Sequence, residues 1–311
     1  MGSLRTERLP ANADVRAGGK AGRPSAAWAF VAPLIVLFVS LTTFPFLYMI
    51  YMSFRRYNLA AWTPSRWVGL DNYVTLFARD PTVGRAVTFT AWFVVIALPV
   101  EMVFGVAVAL LIRNVVGERA WRAAVLLPMM IPAVVAGVAW KMLYNFEFGP
   151  VNYALSFVHV APVSWLGDFT MAPAGIILID IWQWTPFVFL VVYAALQSVS
   201  RDLVEAARVD GAGPWQTVWW VELPLIRTVL WIILIIRLID MLKLFDIIYM
   251  TTFGGPGDAT TSLSFYIYKV GVSFGWDVGY ASALSVVLLA AITILTNVLI
   301  KTLNLRELLG L

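Results

Sequence analysis

Six stretches of mainly apolar residues, each about twenty long, constrain this chain more than any other feature of its sequence. They run from Ala27 to Tyr48, Val87 to Ile112, Ala123 to Leu143, Ala174 to Leu196, Thr228 to Tyr249 and Ala281 to Ile300. A helix rises ~1.5 Å per residue and the hydrocarbon core of a bilayer is ~30 Å thick, so each stretch is long enough to cross once. Backbone polar groups in hydrocarbon must be bonded within the protein, which leaves only helices and closed barrels. Segments of alternating polarity, the mark of a barrel strand, are absent. The expected fold class is all-α, an integral membrane bundle of six transmembrane helices.

Composition agrees. Of 311 residues, 61% are hydrophobic and 13% charged, with mean hydropathy +0.83, which is more apolar surface than one soluble core covers. The absence of cysteine excludes disulfides, thiol nucleophiles and cysteine metal sites. The basic excess, 22 Lys and Arg against 18 Asp and Glu, is dispersed through loops and the N-terminal tail, which argues against nucleic acid and reads as a topology signal. With six spans both ends share one side. That side would carry Arg5, Arg8, Arg16, Lys20, Arg23, Arg113, Arg119, Arg122, Arg201, Arg208, Arg227, Lys301 and Arg306. The other would carry Arg55, Arg56, Arg66, Arg79, Arg85, Lys141 and Lys269, so both termini are expected in the cytoplasm despite the Arg-rich first outer loop. Residues 1–25, rich in Ala, Gly, Arg and Pro, are expected to form a disordered cytoplasmic tail, with the membrane domain over 26–311. The first apolar run is too long for a secretory signal core and is read as a retained anchor.

Between the fourth and fifth stretches lies a polar segment, 200–227. Ser200 is placed to cap a short helix with Asp202 and Glu205 in its early turns; Gly211 and Gly213 end it; Pro224 suits the first turn of another. The segment also carries Glu205-Ala206-Ala207, then Asp210-Gly211, then Val221-x-Leu223-Pro224. That spacing resembles the EAA loop of binding-protein-dependent ABC importer permeases, with Val221 where Ile is usual. Trp67-Val68-Gly69-Leu70-Asp71-Asn72-Tyr73, Leu127-Pro128 with Ile131-Pro132, Ile181-Trp182-Gln183-Trp184-Thr185-Pro186 and Thr252-x-Gly254-Gly255-Pro256 extend the resemblance to maltose-type sugar permeases over residues 28 to 305. The stretch from Phe245-Asp246 to Pro256 looks like the first permease of such pairs.

The resemblance implies a multi-pass subunit of a bacterial cell membrane that works by alternating access. It implies partners: a second homologous permease, two ATPase subunits and an extracellular or periplasmic solute-binding protein. Glu205, Ala206, Ala207, Asp210, Gly211, Leu223 and Pro224 would then couple to the ATPase. A G-x-x-x-x-G-K-S/T phosphate loop is absent, so ATP and its Mg belong to the partner ATPases and this chain is not expected to be an enzyme. The cargo class implied is a disaccharide or oligosaccharide, of the maltose or trehalose kind.

Ions inside a span are site candidates because they are costly in hydrocarbon. The fifth stretch holds Arg237, Asp240, Lys243 and Asp246. On a continuous helix Arg237, Asp240, Met241 and Leu244 share a face, whereas Lys243 and Asp246 turn away. Arg237 and Asp240 are read as solute contacts, and Lys243 and Asp246 equally as rungs of an i, i+3 ion-pair ladder. On the fourth stretch Asp180, Gln183, Trp184 and Phe187 share a face that combines hydrogen-bonding groups with flat rings, as sugar hydroxyls and C–H faces require. By the family's offset from its loop motif, the resemblance places the solute-lining positions at Gln183, Trp184, Phe187, Arg237, Asp240, Met241 and Leu244. Glu101 either bonds to a neighbouring helix or borders the pathway, and His159, in an outer loop, lacks metal-ligand spacing. Rival readings are an ion-coupled secondary carrier, in which the fifth-span ions relay charge, a glycerol-phosphate importer permease, and a membrane enzyme or assembly scaffold.

Overall fold

The computed structural model describes residues 24–304 except 62, 63 and 114. The tail expected over 1–25 therefore lies outside the described residues, apart from Pro24 and Ser25, which open the first helix. The chain divides into two units, residues 1–48 and 49–311. The first holds α1 (Pro24–Phe38), one wide turn (Val39–Thr43) and the start of α2 (Phe44–Ser53).

The second unit continues from the end of α2 into a two-stranded antiparallel ribbon, β1 (Arg55–Arg56) and β2 (Arg66–Trp67), with Arg55 opposite Trp67. Next come α3 (Asp71–Val74), α4 (Pro81–Ile112), α5 (Glu118–Leu126), α6 (Ala133–Leu143), α7 (Pro150–Ser156) and α8 (Met171–Gln197). Then follow α9 (Arg201–Val209), α10 (Pro214–Thr217), α11 (Leu223–Leu225), α12 (Arg227–Leu242), α13 (Asp246–Met250), α14 (Leu263–Tyr268) and α15 (Val278–Thr302). Four uninterrupted helical segments among the described residues are long and apolar enough to cross a membrane: Phe30–Ser53, α4, α8 and α15.

The third and fifth expected spans are each broken. Pro128 and Pro132 lack the N–H that a helix needs, so the third becomes α5, a tight turn at Pro128–Met130, and α6. The fifth stops at Leu242 and restarts at Asp246. Irregular backbone at membrane depth is tolerated where other groups satisfy it, and both breaks have such a partner. The Gln183 amide donates to Ile131 O at 2.9 Å, and the Ser262 hydroxyl donates to Leu244 O at 2.5 Å.

The pairing of α4 with α8 is the spine of the second unit. Ala97, Glu101, Gly105 and Ala109 recur every fourth residue along the buried stripe of α4, while Trp92, Val95, Val103, Phe104 and Leu111 are exposed. A Cβ on Gly105 would lie 2.5 Å from the Val188 side chain, so only glycine permits this approach. Helix α12 lies against both α4 and α8. Among the described residues three apolar clusters fill the interior, one of them Leu76, Val83, Ala86, Leu263 and Leu284, and the other two flank the middle of α4, α8 and α12. Of these two, one contains Phe93, Ala97, Ile176, Ile179, Leu238 and Met241; the other contains Ala109, Val188, Phe189, Val192 and Ile233.

Candidate functional site

Along α4, α8 and α12 the members of one apolar cluster give way to those of the other, and at that level each helix contributes one ion: Glu101, Asp180 and Arg237. Arg237 Nε and Nη2 donate to the two Glu101 oxygens at 2.7 and 2.9 Å, and Nη2 also donates to Asp180 at 2.8 Å. The three side chains are 2%, 0% and 4% exposed. A planar fork on two carboxylates is the geometry a guanidinium offers and an ammonium does not. The guanidinium carbon also lies 4.9 Å from the centroid of the Trp184 ring, which meets Phe187 edge-on at 6.5 Å.

This arrangement departs from the expectation drawn on a continuous fifth span. Arg237 is enclosed by carboxylates of two other helices, and neither is its i+3 neighbour Asp240. Met241 and Leu244 are buried in the apolar cluster, and Gln183 is buried with its amide nitrogen bonded to Ile131 O at the helix break and its amide oxygen without a partner. Trp184 and Phe187 are half-buried. Asp240, 42% exposed at its side chain, pairs with Lys243 at 3.3 Å, the one rung of the expected ladder that forms. Asp246 is exposed at the start of α13, because the helix that was to carry it on the Lys243 face ends before it. Glu101, whose role the sequence left open, is a full member of the ion cluster, and so is Asp180.

The loop between α8 and α12 is built as its residues suggest. Ser200 caps α9, its hydroxyl accepting from Asp202 N at 3.3 Å. Helix α9 ends in a Schellman turn: Gly211 N donates to Arg208 O at 3.0 Å and Ala212 N to Ala207 O at 2.9 Å. Gly211 supplies the required left-handed residue, φ +89°. Gly213 and Pro214 then start α10, with the Gln216 side chain accepting from Gly213 N at 2.7 Å. Glu205, Ala206, Asp210, Gly211 and Pro224 are exposed, and Ala207 and Leu223 half-buried. Glu222 faces inward and accepts from Arg113, at the end of α4, at 2.7 Å. The sequence reading passed over this pair: Glu222 is a lone acid between Val221 and Leu223, and Arg113 is 109 residues away.

Residues 101–307 match the family model described as the binding-protein-dependent transport system inner membrane component. The trehalose/maltose transport system permease protein MalF of Thermococcus litoralis is 35% identical over 279 residues, covering 88% of this chain and 92% of that protein. The sulfoquinovosyl glycerol transport system permease protein SmoG of Agrobacterium fabrum is 34% identical, over 89% of this chain and 90% of its own. The trehalose transport system permease protein SugA of Mycobacterium tuberculosis is 31% identical over 92% of this chain and 91% of its own. Among solved structures, a bacterial ABC transporter involved in the import of the acidic polysaccharide alginate superposes with a TM-score of 0.79 at 26% identity, over 92% of this chain and 96% of that one. Fold and sequence agree, and the chain belongs to the binding-protein-dependent transport system inner membrane component family, the permeases of ABC importers.

Proposed function

We propose that this chain is one of two permeases in an ATP-driven importer of a sugar, a disaccharide or oligosaccharide of the trehalose or maltose class. The observation that carries the coupling role is the α9 loop: a short capped helix presenting Glu205 and Ala206, turned back sharply at Gly211, with an inward acid at Glu222 bonded to α4. Such a loop offers a small-residue helix to a cleft on an ATPase, and ATP and Mg would be held by that partner. The sugar class comes from the named relatives and from Trp184, Phe187 and Asp240, the part of the expected lining that retains accessible surface. Gln183, Arg237, Met241 and Leu244 would act behind it.

We read six membrane passages, the third and fifth as helix pairs, with both termini cytoplasmic. Several basic residues of the Arg-rich outer side are in ion pairs. Asp71 bonds Arg56 and Arg79, and Asp258 lies 2.7 Å from Lys269 and 3.8 Å from Arg85. The ion-coupled carrier is less favoured, since three of its four ions, Arg237, Asp240 and Lys243, are in ion pairs, and Asp246 is exposed at the start of α13. Arg237, the cation that would meet an anionic solute such as a glycerol phosphate, is already bonded to two carboxylates.

Mild detergent extraction from the native membrane tests the assembly. A second permease and two ATPase chains are expected to co-purify, with ATP hydrolysis stimulated by a sugar-loaded binding protein. Replacing Gly211 by Pro is expected to abolish that stimulation while the chain still accumulates in the membrane. A chain that purifies alone and transports under an ion gradient overturns the proposal.

A further inference from the structure

We infer that Glu101 and Asp180 act through Arg237 to fix Trp184 as the stacking face for the transported sugar, which makes Arg237 a positioning residue rather than a solute contact. The inference rests on the sugar-importer reading above and assigns work to three ions that reading leaves unused. Three hydrogen bonds, to Glu101 at 2.7 and 2.9 Å and to Asp180 at 2.8 Å, set the plane of the guanidinium as well as its place. Trp184 lies against that group at 4.9 Å and is met at 6.5 Å by the edge of Phe187. The indole is therefore held by a cation and a second ring while part of it stays accessible. A ring already held loses little rotamer freedom when a sugar C–H face stacks on it, so its binding surface is formed before the solute arrives.

The carboxylates are needed because the cation cannot stay alone at this depth, and their placement on α4 and α8 makes the ring position depend on all three helices. Asp240, one turn beyond Arg237 on α12, is partly exposed and pairs with Lys243 at 3.3 Å. The arrangement predicts that shape matters and charge alone does not. Lysine in place of Arg237 keeps the positive charge but loses both the fork and the flat face.

The test uses the complete transporter in proteoliposomes with its binding protein and a panel of neutral disaccharides. Arg237→Lys is expected to assemble and to raise the half-saturating sugar concentration about tenfold, with the maximal rate changed much less. Trp184→Phe is expected to do the same, and the two together to do no more than either alone, because both remove one surface. The neutral set Glu101→Gln, Asp180→Asn and Arg237→Met leaves no buried charge unpaired, so it assembles even where Arg237→Lys does not, and it should show the same raised half-saturation. An unchanged half-saturation in Trp184→Phe, or effects of Trp184→Phe and Arg237→Lys that multiply, overturns the inference. A wild-type transporter that imports none of the sugars overturns the sugar reading itself and is seen before any variant is made.

Discussion

Asp80 ties three helices with one carboxylate. It caps α4 by accepting from Thr82 N at 2.9 Å, and the phenols of Tyr266 on α14 and Tyr280 on α15 donate to it at 2.5 and 2.7 Å. Burial pushes its pKa up, but the hydrogen bonds from Tyr266, Tyr280 and Thr82 outweigh burial and hold the carboxyl below its ordinary range. A carboxyl lowered by folding contributes stability that is present above the unfolded pKa of about 3.9 and lost as pH falls through the lower folded value. Asp80→Asn is therefore expected to melt earlier than wild type at neutral pH, with the gap closing below about pH 4, as scanning fluorimetry in detergent will show. At this scale the sequence marks which residues matter better than what they do. Arg237 stands out because a cation within an apolar span needs a reason. Glu101 and Asp180 stand out too, but not as its partners, since they are 136 and 57 residues away and only folding brings them together.

Between elements, the Arg113 and Glu222 pair joins the end of α4 to the loop that carries α9 and α10. The contact is a single 2.7 Å bond with Glu222 nearly enclosed, so breaking it strands a buried acid. Glu222→Arg alone is expected to leave the assembled transporter hydrolysing ATP with less sugar moved per ATP, and Arg113→Glu combined with Glu222→Arg to restore the ratio. A ratio that stays low in the combined variant would reduce the pair to a local fold contact. The helices that the apolar pattern located best are α4, α8 and α15, which run on unbroken, the first two straight through Pro99 and Pro186. The third span shows its breakers, Pro128 and Pro132, openly, and the apolar stretch was nonetheless read across them. The break at Lys243 carries no proline or glycine to announce it. It exists because Ser262, nearly twenty residues on, accepts the task of satisfying Leu244 O, a long-range bond that no local pattern encodes. The same blindness hides the bond by which the Gln183 amide nitrogen serves the backbone of another helix.

For the whole molecule, sidedness follows from a chain without cysteine, where any introduced thiol is unique. Val116 is 95% exposed after α4 and Phe157 is 69% exposed after α7. Val116→Cys is expected to react with an impermeant maleimide only in inside-out vesicles, and Phe157→Cys only in intact cells; the reverse pattern would invert the topology. Helix α4 joins the features described at smaller scale, for it carries the Asp80 cap before its first turn, Glu101 in its interior and Arg113 just past its end. Its 32 residues make a rod about 48 Å long, against a hydrocarbon core of ~30 Å. The rod must stand proud of the apolar layer or lean steeply within it. A lean changed at the Glu222 end is felt at the Asp80 end as well, and Glu101 lies between the two ends, about two-thirds of the way along the rod.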